Sequence, residues 1–301
     1  MKRNNSNSKN KYLLAEGHSG CSGCGQLLAA RHVAEAAGPN TIILNSTGCL
    51  EVTTTPYPRS AWRLPWFHSL FENSAACASG VAAALKAQGQ DKKINIIAQG
   101  GDGGSFDIGF GLISGMWERK DNVLYICYDN EAYMNTGVQA SGSTMLGTST
   151  TTSPAGKERY GNLQHKKNLP DIAMAHELSY VAVTTVGHLT DLKRKVQKAL
   201  SMPGAKYIQI LSPCTAGWKY EDRLTIKLCK LAQQSGIYPV FEAEYGKITN
   251  SMKVPKQKIS VEDYLKPQKR FAHLFKDEKG QKIIAEIQAW ADKNKEKYNL
   301  I

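Results

Sequence analysis

Short apolar runs alternate with longer amphipathic or alanine-rich stretches over most of the chain. Residues 41–45, 94–98, 123–128, 180–184 and 207–211 are each short, apolar and bounded by turn formers, as buried parallel strands are. Helical patterning fills the intervals, at residues 26–37, 69–88, 108–118, 169–178 and 190–201. This alternation predicts an α/β fold, a parallel sheet with helices on both faces. Cys77, on the Ala- and Gly-rich part of the second helix, reads as a packing residue. Two stretches resist the pattern. Residues 56–67 hold three prolines and two tryptophans, and residues 137–161 are rich in Ser, Thr and Gly. Loops of that length inside a compact domain are usually functional. After about Gly217 the βα rhythm ends, and a basic segment runs to a last helix over residues 279–298. The expected division is a disordered basic tail over 1–15, a main domain over 16–220 and a largely helical C-terminal extension over 221–301, packed on the main domain or on a partner. No internal repeat interrupts this plan.

At 301 residues the chain suits one large domain or a domain with an appendage. Its hydrophobic fraction of 42% is that of a globular protein, and no run approaches the roughly 18 apolar residues of a membrane span. The first eleven residues are basic and polar with no apolar signal-peptide core behind them, so a cytoplasmic chain is expected. The net charge of +12 permits acidic partners without choosing among them. Lysines crowd the final third interleaved with Asp and Glu, the pattern of a solvated helical face, and the five tryptophans are dispersed. Neither feature forms a stacking platform for nucleic acid, and none is expected as a ligand. Seven cysteines, an odd number in a reducing compartment, point to metal or redox chemistry before disulfides.

Two constellations carry candidate chemistry. The first is Gly100-Gly101-Asp102-Gly103-Gly104, directly after the strand at 94–98. Glycines there let backbone amides approach an anion, and Asp102 can hold a hard cation on diphosphate oxygens. Alone this is also how a tight strand-to-helix turn is written. The next strand, however, runs into Asp129-Asn130-Glu131-Ala132, with Asn130 placed 28 positions after Asp102. Polar residues at the carboxyl ends of neighbouring parallel strands converge on the crevice where such sheets bind ligands. The pairing resembles the thiamine diphosphate fingerprint, which assigns magnesium to Asp102, Asn130 and the carbonyl of Ala132. The second constellation is cysteine: Cys21 and Cys24 as a CxxC before a helix, Cys49 after a strand, and Cys214 after another. Four thiolates from such loops suit a [4Fe–4S] cluster, a structural zinc, a redox pair or simple buried thiols, and spacing does not choose. Cys127, within an apolar strand, and Cys229, in the basic segment, read as packing or surface thiols.

Together these sets resemble a known family. GHSGCSGCG at 17–25, TGCLE at 47–51, PWFHSLFEN at 65–73, GDGG at 101–104, YDNEAYMNTG at 128–137, TTTSPAG at 150–156 and RFAHLFK at 270–276 are similar to the beta subunits of multi-subunit pyruvate:ferredoxin oxidoreductases, in order from about residue 16 to the end. The resemblance implies the thiamine-diphosphate-binding fold, with Gly101, Asp102, Gly103, Gly104, Asn130 and Ala132 at the diphosphate and its magnesium. It implies that Cys21, Cys24, Cys49 and Cys214 hold a [4Fe–4S] cluster, and that Gln26, Cys49 and Asn135 lie near the cofactor, Asn135 as a hydrogen-bonding catalytic residue. His18 and His68 stand in shared motifs without an assigned role. The implied reaction is oxidative decarboxylation of pyruvate with coenzyme A, electrons leaving to ferredoxin. Partners implied are a pyrimidine-binding alpha subunit that supplies the activating Glu, a gamma subunit and a ferredoxin-like delta subunit. Relatives acting on oxalate, 2-oxoglutarate or branched-chain 2-oxoacids look much the same, and a non-catalytic four-cysteine metal scaffold is the rival outside enzymes.

Overall fold

Apolar runs without alternation should be covered on both faces, and in the computed structural model of the protein they are. The structure describes residues 12–257 and 259–301. Its strands are β1 (Thr41–Ser46), β2 (Trp66–Ser69), β3 (Asn95–Gly101), β4 (Leu124–Asp129), β5 (Tyr180–Thr185), β6 (Lys206–Leu211), β7 (Phe241–Glu244) and β8 (Lys247–Ser251). All eight join one sheet in the order β2-β1-β3-β4-β6-β5-β7-β8. β1 to β6 are mutually parallel, whereas β7 runs antiparallel to β5 and β8 antiparallel to β7. Every residue of β4, β5 and β6 is buried, which is why their sequences show no polar face. Helices Gly25–Ala37 and Leu189–Ser201 pack on each other, tied by Lys193 to Glu35 at 2.7 Å, while helix Ser74–Ala87 packs on β3. Among the described residues no helix is long and apolar enough to cross a membrane.

Three elements differ from expectation. β2 arises inside the proline-rich stretch because it lies at the sheet's edge, where Pro65 costs no ladder bond. The Pro65 carbonyl even accepts from the Ile43 amide at 2.9 Å. The helix expected from residue 108 is preceded by a π-helical turn, Gly103–Ile108, closed by the Gly109 amide on the Gly104 carbonyl at 3.0 Å. The segment 221–301 is not a purely helical extension, since β7 and β8 rejoin the main sheet. Glu242 conceals β7 in the sequence. This carboxylate is buried, taking bonds from Tyr180 at 2.6 Å and Arg194 at 2.5 Å, so a core position carries a charged letter.

Of the expected basic tail, residues 1–11 lie outside the described residues. Residues 12–15 are not loose: Leu14 is buried and pairs with Trp62, the Arg63 amide donates to the Leu13 carbonyl at 2.9 Å, and the Ala15 amide donates to the Ala61 carbonyl at 2.8 Å. Leucine burial fixes this stretch against the 54–63 loop. Cys77 is half-buried and packs on the core, and Cys127 and Cys229 are fully buried.

Candidate functional site

The carboxyl ends of β1, β3, β4 and β6 are neighbours in the sheet and carry Cys49, Asp102, Asn130 and Cys214 respectively. Residues 28 positions or more apart thus open onto one edge, the crevice where parallel sheets place ligands. A cleft lies there. Gln26, Cys49, Gly101, Asp102, Gly103, Gly104, Asn130, Ala132 and Asn135 all line it, with Thr47, Phe71 and Tyr133 as members that the sequence did not single out. Asn135 is exposed at the cleft and Gln26 is buried.

The glycines differ in what they do. A Cβ on Gly103 would stand 2.2 Å from the Tyr133 ring, so only glycine fits beneath that side chain. A Cβ on Gly101 would meet nothing within 4 Å and would project into open cleft. That open stretch of backbone, followed at once by the start of a helical turn, suits a diphosphate.

Asp102 is fully buried, its Oδ2 accepting from the Ser141 hydroxyl at 2.5 Å and its Oδ1 from the Asn130 amide at 3.3 Å. Burial, and then the charge of Asp129, push its carboxyl well above the usual range. The Asn130 side-chain amide stands 2.9 Å from Asp102 Oδ1 and 2.7 Å from the Ala132 carbonyl, and with its nitrogen turned inward it donates to both. Turned oxygen-inward, the same amide would join Asp102 and the Ala132 carbonyl as three oxygen ligands for a cation. The donor set fits a hard divalent ion.

The cysteines occupy three loops stitched together. Cys24 caps helix Gly25–Ala37, its Sγ accepting from the Leu27 amide at 3.5 Å, and Cys214 Sγ accepts from the Gly217 amide at 3.3 Å. Thr215 donates to the Ser22 carbonyl at 3.1 Å, and the Gly25 amide to the Pro213 carbonyl at 3.1 Å. A Cβ on Gly25 would stand 2.8 Å from Pro213, which is how closely the two loops approach. Cys21 is exposed; Cys24, Cys49 and Cys214 are partly buried. Burial pushes the Cys24 and Cys214 thiols up, and burial with the neighbouring cysteines pushes Cys49 up to about 12. Among the described residues no group of three or more His, Cys, Asp and Glu side chains stands in metal-binding geometry. The donor chemistry nonetheless suits a cluster: four thiols, two of whose sulfurs already accept backbone N–H bonds. Cys21 and Cys24 face a separate open groove that includes His18. His68 lies one contact from the cleft, its Nε2 2.8 Å from the Thr47 hydroxyl.

Beneath the site is a charged network the sequence did not disclose. Asp129 takes bonds from Lys166 at 2.7 Å, Gln209 at 2.9 Å, Tyr238 at 3.1 Å and Ser143 at 2.6 Å. Glu131 is clamped by Lys166 at 3.0 Å and Arg270 at 2.6 Å. Burial alone would raise the Glu131 carboxyl, but these two cations hold it below the usual range. The available signal was a pair of carboxylates at the end of an apolar strand, which burial obliges to find counter-charges.

Known proteins resemble this chain over most of its length. Residues 46–210 match the family described as thiamine pyrophosphate enzyme, C-terminal TPP binding domain. The pyruvate synthase subunit PorB of Methanosarcina barkeri is 49% identical over 96% of this chain and 98% of that protein. The ketoisovalerate oxidoreductase subunit VorB of Pyrococcus abyssi is 41% identical over 91% of this chain and 88% of that protein. Among solved structures, a 2-oxoglutarate:ferredoxin oxidoreductase from Magnetococcus marinus shares the fold, with a TM-score of 0.58 at 24% identity over 68% of this chain and 67% of that one.

Proposed function

Because the chain belongs to the pyruvate synthase PorB family of thiamine-diphosphate-binding subunits, we propose that it is the beta subunit of a pyruvate:ferredoxin oxidoreductase that also holds a [4Fe–4S] cluster. The reaction converts pyruvate and coenzyme A to acetyl-CoA and carbon dioxide, and two electrons leave singly to ferredoxin. The single observation that carries the cofactor reading is the convergence of Asp102 Oδ1 and the Ala132 carbonyl on the Asn130 side-chain amide, at 2.9 and 2.7 Å, beside the open Gly101 cradle. Asp102 and the two oxygens from β4's end would hold magnesium, and the 101–104 backbone the diphosphate. Thiamine diphosphate supplies, when bound, the electron sink that 2-oxoacid decarboxylation needs. The chain's residues do the rest by placement: Gln26, Cys49 and Asn135 line the one cleft, and Asn135, exposed in it, would donate to the substrate oxygen on which negative charge grows. Cys21, Cys24, Cys49 and Cys214 would hold the cluster, and Cys49, which also lines the cleft, would join the two sites.

The partners under this reading are an alpha subunit that carries the pyrimidine-binding Glu, a gamma subunit and a ferredoxin-like delta subunit. A second reading, the same chemistry on a branched-chain 2-oxoacid, draws on the 41% identity to the VorB subunit, against 49% to the PorB subunit. The test is to purify the native complex anaerobically and follow viologen reduction with pyruvate, 2-oxoisovalerate, 2-oxoglutarate and oxalate in the presence of coenzyme A. Pyruvate should be turned over with the highest kcat/KM, and the Cys214→Ala complex should lose the brown absorbance of the cluster. Preference for another 2-oxoacid would overturn the substrate, and full iron and sulfide in Cys214→Ala would overturn the ligand set.

A further inference from the structure

Glu131 sits between the two residues of the proposed magnesium loop and points away from the cleft, into the protein. It is 1% exposed, and its backbone holds φ at +67°, a left-handed conformation unfavourable to a side chain with a Cβ. A strained, buried carboxylate persists only when its surroundings over-determine it. Here they do. Arg270, itself buried and contributed by the 221–301 segment, donates to Glu131 Oε2 at 2.6 Å, and Lys166 to Oε1 at 3.0 Å. The Thr144 hydroxyl holds the Glu131 carbonyl at 2.8 Å. The Arg270 guanidinium also lies 3.7 Å from the centre of the Trp218 ring, whose Nε1 donates to the Asn130 carbonyl at 2.7 Å. One arginine thus braces the loop twice, through Glu131 directly and through Trp218.

We propose that Arg270, Glu131 and Trp218 form a positioning clamp that sets the Asn130 amide and the Ala132 carbonyl at the spacing a divalent cation requires. The clamp touches neither cation nor substrate, and it acts by fixing the backbone on both sides of Glu131. It explains why a residue near the end of the chain, in the RFAHLFK motif, belongs to a site built from β3 and β4. The inference rests on the reading of Asn130 and Ala132 as magnesium ligands.

The experiment measures, in the assembled complex, the magnesium concentration that half-saturates thiamine diphosphate binding by calorimetry. Arg270→Met and Trp218→Phe are each expected to raise it about tenfold or more, the usual loss when a partner behind a metal ligand is removed. Trp218→Phe keeps the ring under Arg270 and removes only the N–H, so it remains informative if Arg270→Met does not assemble. Arg270→Lys should recover part of the loss. The double variant should lose less than the product of the single losses, since both act on one loop. Wild-type magnesium dependence in Trp218→Phe, or losses that simply multiply, would overturn the clamp. Asp102→Ala separates the two ideas. If it abolishes magnesium-dependent binding while the clamp variants do nothing, only the clamp falls. If it binds cofactor as the wild type does, the metal assignment falls and takes the clamp with it.

Discussion

At the scale of single residues, the glycines of the 100–104 turn have distinct burdens. Gly103 lies under the Tyr133 ring, whose hydroxyl donates to the Gly103 carbonyl and to Asp107, both at 3.2 Å. A methyl there must displace a side chain that walls the cleft. Gly103→Ala should therefore cost about 1–3 kcal/mol of stability, seen as a lower urea midpoint, together with weaker thiamine diphosphate binding. Gly101→Ala meets no protein atom and should unfold like the wild type. Its methyl occupies the space assigned to the diphosphate, so affinity alone should fall. Equal cofactor binding by Gly101→Ala and wild type, measured by calorimetry, would remove the cradle from that position.

At the scale of elements, β6 begins with a lysine in a buried place. Lys206 is 2% exposed, and its ammonium donates to the Asn122 side chain at 2.6 Å. Burial pushes its pKa from an ordinary 10.5 down to about 8. Between those values the unfolded chain holds the proton and the folded chain does not, so this lysine makes stability rise with pH across that window. Below it the charge is buried at a cost on the order of 3 kcal/mol. Lys206→Met should accordingly be more stable than the wild type near neutral pH, with the difference shrinking as pH climbs from about 8 towards 10.5. Urea unfolding of both proteins at several pH values checks this. A difference independent of pH would mean that Lys206 is not buried as a charge.

For the whole molecule, the proposed function puts cofactor chemistry and electron exit on one sheet edge and takes the activating Glu from another chain. Isolated and supplied with cluster, thiamine diphosphate and magnesium, this chain should reduce viologen with pyruvate at less than about a thousandth of the complex's rate, as follows from losing a catalytic proton-transfer group. Comparable rates for chain and complex would end the subunit reading. The +12 net charge should also make reduction of an acidic ferredoxin fall as salt rises, whereas turnover with a neutral acceptor should not.

The sequence by itself determined the parallel core, because strands covered on both faces must be apolar throughout, and it brought Asp102 and Asn130 to one cleft, because the carboxyl ends of neighbouring parallel strands open on the same edge. It also held the family motifs in order. What it did not reveal were features whose meaning depends on distant partners. Glu242 reads as a surface charge until Arg194 and Tyr180 are brought to it, and so β7 looked like part of a helical extension. Lys166 reads as half of an exposed Lys-Lys pair until Asp129 and Glu131 are seen beside it. Arg270 stands 139 positions from the carboxylate it neutralises. A buried charge is written with the same letter as a solvated one, and only the tertiary fold, by supplying the counter-charge and excluding water, decides which it is.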